Sequence, residues 1–173
     1  MSDMITEVKD NQVEPGGAGA FAASELFFRI YDQSMAMVRE AADYLEVEGA
    51  IERRDLSQQM GAVYACESMR LTTRLMQISA WLLAMRAVRQ GELTPGDIEV
   101  RGFRLGAREV CLGGPVRGAG LLPVRLINLL EASKRLYERV ARLDQLLFAD
   151  TGRMPAHNAV VAQIGRIEQA FSL

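Results

Sequence analysis

The sequence predicts an all-α protein: an antiparallel three-helix bundle with a long second helix, a long irregular loop before the third, and flexible tails at both ends. Three observations carry this. Aromatic residues are only 6% of the chain while hydrophobic residues reach 49%. The core must therefore be mostly Leu, Met, Val, Ile and Ala, which suits helices better than sheets. Apolar residues step by fours and threes over three long stretches, the spacing of a bundle seam. The 173 residues suit one domain with a real core.

Residues 1–20 hold Asp3, Glu7, Asp10, Glu14, Lys9 and the breaker around Pro15-Gly16-Gly17. That is too little apolar surface to offset the entropy of ordering, so a disordered arm is expected. The bundle is expected over 21–150. Its first helix spans about 24–48, with Ser24 as N-cap. The apolar positions are Phe27, Tyr31, Val38, Ala41 and Leu45, with Ser34 as a small site between them and Gly49 as the end.

The second helix is expected over 57–90, roughly 50 Å long, with Gly91 as its stop. One seam is Tyr64, Leu71, Leu75, Ile78, Leu82 and Met85. A second, on nearly the opposite side, is Met69, Met76, Ala80, Leu83 and Ala87. A helix apolar on two sides is covered on two sides. The bundle alone supplies that cover, or the bundle plus a second copy of the chain.

Residues 92–120 form the loop. Thr94-Pro95 followed by Asp97 marks a short helical turn near 95–100. The stretch EVRGFRLGAREVCL alternates apolar and polar residues and reads as extended. The third helix, about 121–149, has the most regular heptad: Leu122, Leu126, Leu129, Ser133, Leu136, Val140, Leu143 and Leu147. Residues 151–173 form a tail in which Val160, Ile164, Ile167 and Phe171 would line one side of a helix. So short a helix is marginal alone and needs either its own bundle or a partner to cover it.

The loop segment CLGGPVRGAG, Cys111–Gly120, poses the main chemical question. Its glycines resemble a phosphate cradle, but no Lys-Ser/Thr pair follows them and no strand-helix unit surrounds them. They are read as a place where the chain bends sharply. Cys66 and Cys111 are expected as free thiols of a reduced compartment. The single histidine, His157, completes no metal-ligand spacing. No carboxylate pair establishes acid–base chemistry, and no catalytic residue, cofactor or metal is assigned.

Glu67, Arg70 and Arg74 form a candidate charged patch beside the Leu71/Ile78 seam. They are either an ion-pair cluster that fixes helix register or a surface for a partner. The net charge of −2 gives no footprint for nucleic acid. No stretch is apolar enough for membrane insertion, and the acidic start is no signal peptide. A cytoplasmic protein is expected.

The stretch ESMRLTTRLMQISAWLLAMRAVRQGEL, Glu67–Leu93, resembles the alphaproteobacterial RcdA family, the regulators of CtrA degradation. The likeness extends more weakly to Ala41–Ser57 and Leu126–Leu147. The resemblance implies a non-enzymatic adaptor of the ClpXP protease, a dimer of three-helix bundles. It implies joining a protease primed by the response regulator CpdR, with the cyclic-di-GMP effector PopA, and helping deliver cell-cycle regulators such as CtrA. It implies action in the cytoplasm and gathering at a cell pole. On that reading Met69, Met76 and Leu83 are the candidate homodimer interface. The Val160, Ile164, Ile167 and Phe171 stripe is the candidate docking tail. The alternatives are a helical scaffold or polar-localisation module with no direct role in proteolysis, and a small-ligand sensor that uses the 92–120 loop.

Overall fold

The computed structural model describes residues 17–148, whose regular elements are all helical, with no strand among them. The order is α1 (Ala18–Ala22), α2 (Glu25–Glu46), α3 (Glu48–Glu52), α4 (Gln58–Arg89), α5 (Pro95–Val100), α6 (Arg108–Leu112) and α7 (Val124–Phe148). Helices α2, α4 and α7 form the bundle.

The helix ends obey local chemistry. The Ser24 hydroxyl accepts from the Phe27 N–H at 3.2 Å, and the Ser57 hydroxyl from Met60 at 3.3 Å. Past the end of α4, Gly91 has φ of +74°, a left-handed conformation that glycine adopts without strain. Thr94 and Asp97 cap α5 reciprocally, as the Thr94-Pro95-x-Asp97 pattern predicts.

Three local expectations are corrected. Residues 18–22 are helical, and Phe21 stacks near Trp81 with ring centroids 5.8 Å apart. The arm expected over 1–20 therefore gives way to ordered chain at Ala18, because Phe21 and Ala22 find an apolar seat on α4. Gly49 does not end a helix; it is buried inside α3, where a side chain would strike Tyr44 and Tyr64. The stretch expected to be extended instead carries α6, seated on α4 and α7.

The seam of α4 is as read: Tyr64, Leu71, Leu75, Ile78, Leu82 and Met85 are all buried. On α2 the buried line is Phe27, Ile30, Ser34, Ala41 and Tyr44. The expected Tyr31, Val38 and Leu45 lie one residue over and are half-buried. On α7 the heptad holds through Val140. Burial then passes from Leu143 and Leu147 to Asp144 and Phe148. A straight helix of 3.6 residues per turn drifts about 20° per heptad, which moves the stripe in this way.

Helix direction explains the long connection. α2 is antiparallel to both partners: Tyr31 meets Arg86, and Glu48 meets Arg125. α4 and α7 run the same way, since Arg74 bonds to Leu130 and Trp81 to Asp144. The chain must therefore travel back along the bundle between them, and residues 92–123 make that crossover.

Candidate functional site

The crossover is fastened to α4 and α7 along its length. Arg104 donates from Nε to Oδ1 of Asp144 at 2.8 Å and from Nη1 to Glu99 at 3.2 Å. Its guanidinium also lies 4.7 Å from the Phe148 ring centroid. The Asp144 carboxylate pushes the Arg104 pKa further above its usual value. Gly106 N–H then donates to Gln77 at 3.1 Å, and the Tyr137 hydroxyl donates to Gly106 O at 2.6 Å.

Below that point Glu67, Arg70 and Arg74 hold the CLGGPVRGAG segment. Arg74 Nε donates to the Cys111 carbonyl at 2.7 Å and its Nη1 to the Leu130 carbonyl at 3.0 Å. Arg70 Nη1 donates to Gly114 O at 2.5 Å and to Glu67 Oε1 at 3.2 Å. That carboxylate oxygen also accepts the Val116 N–H at 2.8 Å. The three residues form a clasp that gathers carbonyls and an amide of the crossover and ties them to the Leu130 carbonyl of α7. Glu67 and Arg74 are 2% and 3% exposed, so they do not present a surface patch. Only Arg70 reaches the rim.

The glycines of the segment serve the bend. Gly118 has φ of +92° and sits over Met60 and Val63. A Cβ on Gly113 would stand 2.7 Å from the Glu109 carbonyl, which glycine alone avoids.

The candidate interface residues Met69, Met76 and Leu83 are 71%, 65% and 51% exposed. They lie on the side of α4 that α2 and α7 leave uncovered. The edge of this face runs into a groove between α2 and α4, lined by Val38, Leu45, Leu75 and Met76. The candidate docking residues Val160, Ile164, Ile167 and Phe171 lie outside the described residues.

Among the described residues no group of three or more His, Cys, Asp or Glu side chains is placed to hold a metal ion. No described helix is long and apolar enough to cross a membrane. Cys66 is exposed and Cys111 buried, and burial pushes the Cys111 thiol above its usual pKa. His157, the one candidate thiol partner, is outside the described residues.

Sequence reasoning singled out Glu67, Arg70 and Arg74 but not the backbone they hold. It missed Asp144 and Arg104. The available signal was positional: Glu67 and Arg74 fall on the Leu71/Ile78 seam, and Asp144 replaces an apolar residue on the buried stripe of α7.

Comparison with known proteins agrees with this architecture. The family model described as "Protein of unknown function (DUF1465)" matches residues 18–171. The crystal structure of RcdA from Caulobacter crescentus CB15 is similar at 43% identity and a TM-score of 0.59. The match covers 75% of this chain and 96% of that one. No curated protein matches the sequence.

Proposed function

Because the chain belongs to the RcdA family, we propose that it is a non-enzymatic adaptor of the ClpXP protease. It joins the protease primed by CpdR and helps deliver cell-cycle regulators such as CtrA, together with PopA. It acts in the cytoplasm and is recruited to a cell pole. The observation that carries this reading is the 43% identity to RcdA across 96% of that chain, which spans the bundle rather than one motif.

The physical features suit the role. An adaptor raises the local concentration of cargo at a protease and does no chemistry itself. It needs a firm body with separate surfaces. The clasped crossover stiffens one side of this bundle, and the open Met69/Met76/Leu83 side of α4 offers an apolar face for a second copy. The Val160, Ile164, Ile167 and Phe171 stripe would serve as the docking element for protease or cargo.

The test is a purified degradation assay with ClpXP, unphosphorylated CpdR and candidate cargo, with and without this protein. A cargo that needs CpdR alone is the control. Faster loss of CtrA or another cargo, with the control unchanged, is the expected result. If no cargo responds, even with PopA and cyclic di-GMP present, the adaptor reading fails and a scaffold or polar-localisation role takes its place.

A further inference from the structure

A cavity of about 310 Å³, partly open to solvent, lies between α4, the crossover and α7. Ala119, Ile127 and Leu130 supply apolar wall, and Arg70, Arg74 and Lys134 supply positive charge. Arg74 is 3% exposed. A guanidinium carries five N–H donors. Two bonds engage Nε and Nη1, and Nη2 donates to no described residue. No carboxylate lies within ion-pair distance of it among the described residues. Burial, then the nearby Arg70 charge, holds the Arg74 pKa below the ordinary arginine value. The group is thus a buried cation whose direct hydrogen bonds go only to neutral carbonyls, with Glu67 and Glu138 acting on it from beyond ion-pair distance.

The acids that line the cavity make no ion pair with Arg74. Glu67 is spent on Arg70 and the Val116 N–H. Glu131 leans outward to Arg135 at 3.7 Å, both well exposed. Lys134 has no ion-pair partner among the described residues. With the Glu67–Arg70 pair set aside and Glu131 turned to Arg135, two cations facing the cavity, Arg74 and Lys134, have no ion-pair partner among the described residues. A buried cation without a counterion is costly, and a carboxylate meets a guanidinium fork with paired, charge-assisted hydrogen bonds.

We propose that this cavity binds the carboxy-terminal end of a partner polypeptide: the terminal carboxylate on Arg74 and Lys134, and an apolar last side chain against Ile127 and Leu130. The cavity is open enough to solvent for the rest of the peptide to leave it. The choice of a polypeptide end over a small organic acid rests on the adaptor reading; the carboxylate site itself rests on the geometry.

The experiment titrates the full-length, isotopically labelled protein with acetyl-Ala-Leu-Leu, with the same peptide as its carboxamide, and with hexanoate. Backbone amide shifts are followed at Gly113, Gly114, Ile127 and Leu130. The acid peptide is expected to shift these amides saturably. The carboxamide and the Lys134→Gln variant should each weaken binding about tenfold, the loss expected for a charged hydrogen bond. Arg74→Gln should abolish it. Because Arg74 also anchors the crossover, Lys134→Gln is the deciding variant: its side chain has no described partner to lose. Equal binding of acid and amide, shifts confined to other surfaces, no saturable shift at all, or unaltered binding by Lys134→Gln would each overturn the proposal. Hexanoate binding as tightly as the peptide would overturn the polypeptide source. No protease is present, so failure here leaves the adaptor reading standing, and failure of the degradation assay leaves the site standing.

Discussion

The indole N–H of Trp81 and the Nε–H of Arg104 both donate to Oδ1 of Asp144, each at 2.8 Å. The Leu105 N–H adds a longer bond to the same oxygen at 3.4 Å. One carboxylate oxygen therefore ties α4, the start of the crossover and α7 together at one end of the bundle.

Asp144→Ala should destabilise the protein by about 2–3 kcal/mol. It strands a buried indole N–H, while Arg104 is exposed enough for water to take up part of its loss. Urea unfolding gives the value. Trp81 is the single tryptophan, so native-state emission reports the same site directly. An unchanged emission maximum and an unchanged midpoint would count against the tie.

Glu67→Ala removes the acceptor of the Val116 N–H and the ion partner of Arg70. The expected cost is about 1–3 kcal/mol. Hydrogen exchange localises it: amides of residues 111–118 should exchange faster while those of α2 keep their protection. Uniform loss of protection would mean that Glu67 acts on the whole core and not on the clasp.

Alkaline stability should fall in a defined window. Burial pushes the Tyr137 hydroxyl up from 10.0 to about 12. The unfolded chain ionises this group first, so its contribution is complete below pH 10 and is lost as the pH rises through about 12. Cys111 acts in the same direction above its unfolded value of 9.0. In Tyr137→Phe the slope of stability against pH should flatten between 10 and 12. The same variant should cost about 1 kcal/mol at neutral pH, because Gly106 O loses its donor.

The two thiols should separate cleanly under native conditions. Cys66 is exposed and should react with a disulfide reagent in the folded protein, whereas buried Cys111 should react only on unfolding. Mass spectrometry after brief labelling distinguishes one adduct from two.

Met76→Glu tests the open side of α4. The side chain is 65% exposed in the single chain, so the substitution should leave the fold of one chain within about 0.5 kcal/mol of wild type. A dimer built on Met69, Met76 and Leu83 would have to bury the new charge. Light scattering should then show half the wild-type mass with an unchanged helical spectrum. A dimeric variant would place the interface elsewhere.

The legible and illegible parts of this fold divide by the range of the forces involved. The seam of α4 and the caps at Ser24, Ser57 and Thr94 are local, and period and residue type reveal them. The line on α2 is harder to place, because half-buried Tyr31, Val38 and Leu45 are as apolar as the true core positions. The direction of α7 relative to α4 leaves no trace in periodicity, since a heptad reads the same whichever way its partner runs. Glu67 and Arg74 are visible as charges on a seam, but their partners are backbone atoms of Cys111, Val116 and Leu130. Backbone groups carry no residue-type signal, so only three-dimensional structure can identify such a clasp.

The shared direction of α4 and α7 also bears on how the chain finds its fold. Arg74 and Leu130 are 56 positions apart, and Trp81 and Asp144 are 63. A simple up-down-up bundle would join neighbouring helices through a short turn and make most of its contacts locally. Here the α4–α7 half of the core forms only after the intervening crossover has been closed, and that entropy is spent before the contacts offset it. Refolding should therefore be slower than the microsecond-to-millisecond range usual for helical bundles. Crossover anchors such as Glu67–Val116 should form late, so that weakening them speeds unfolding more than it slows folding.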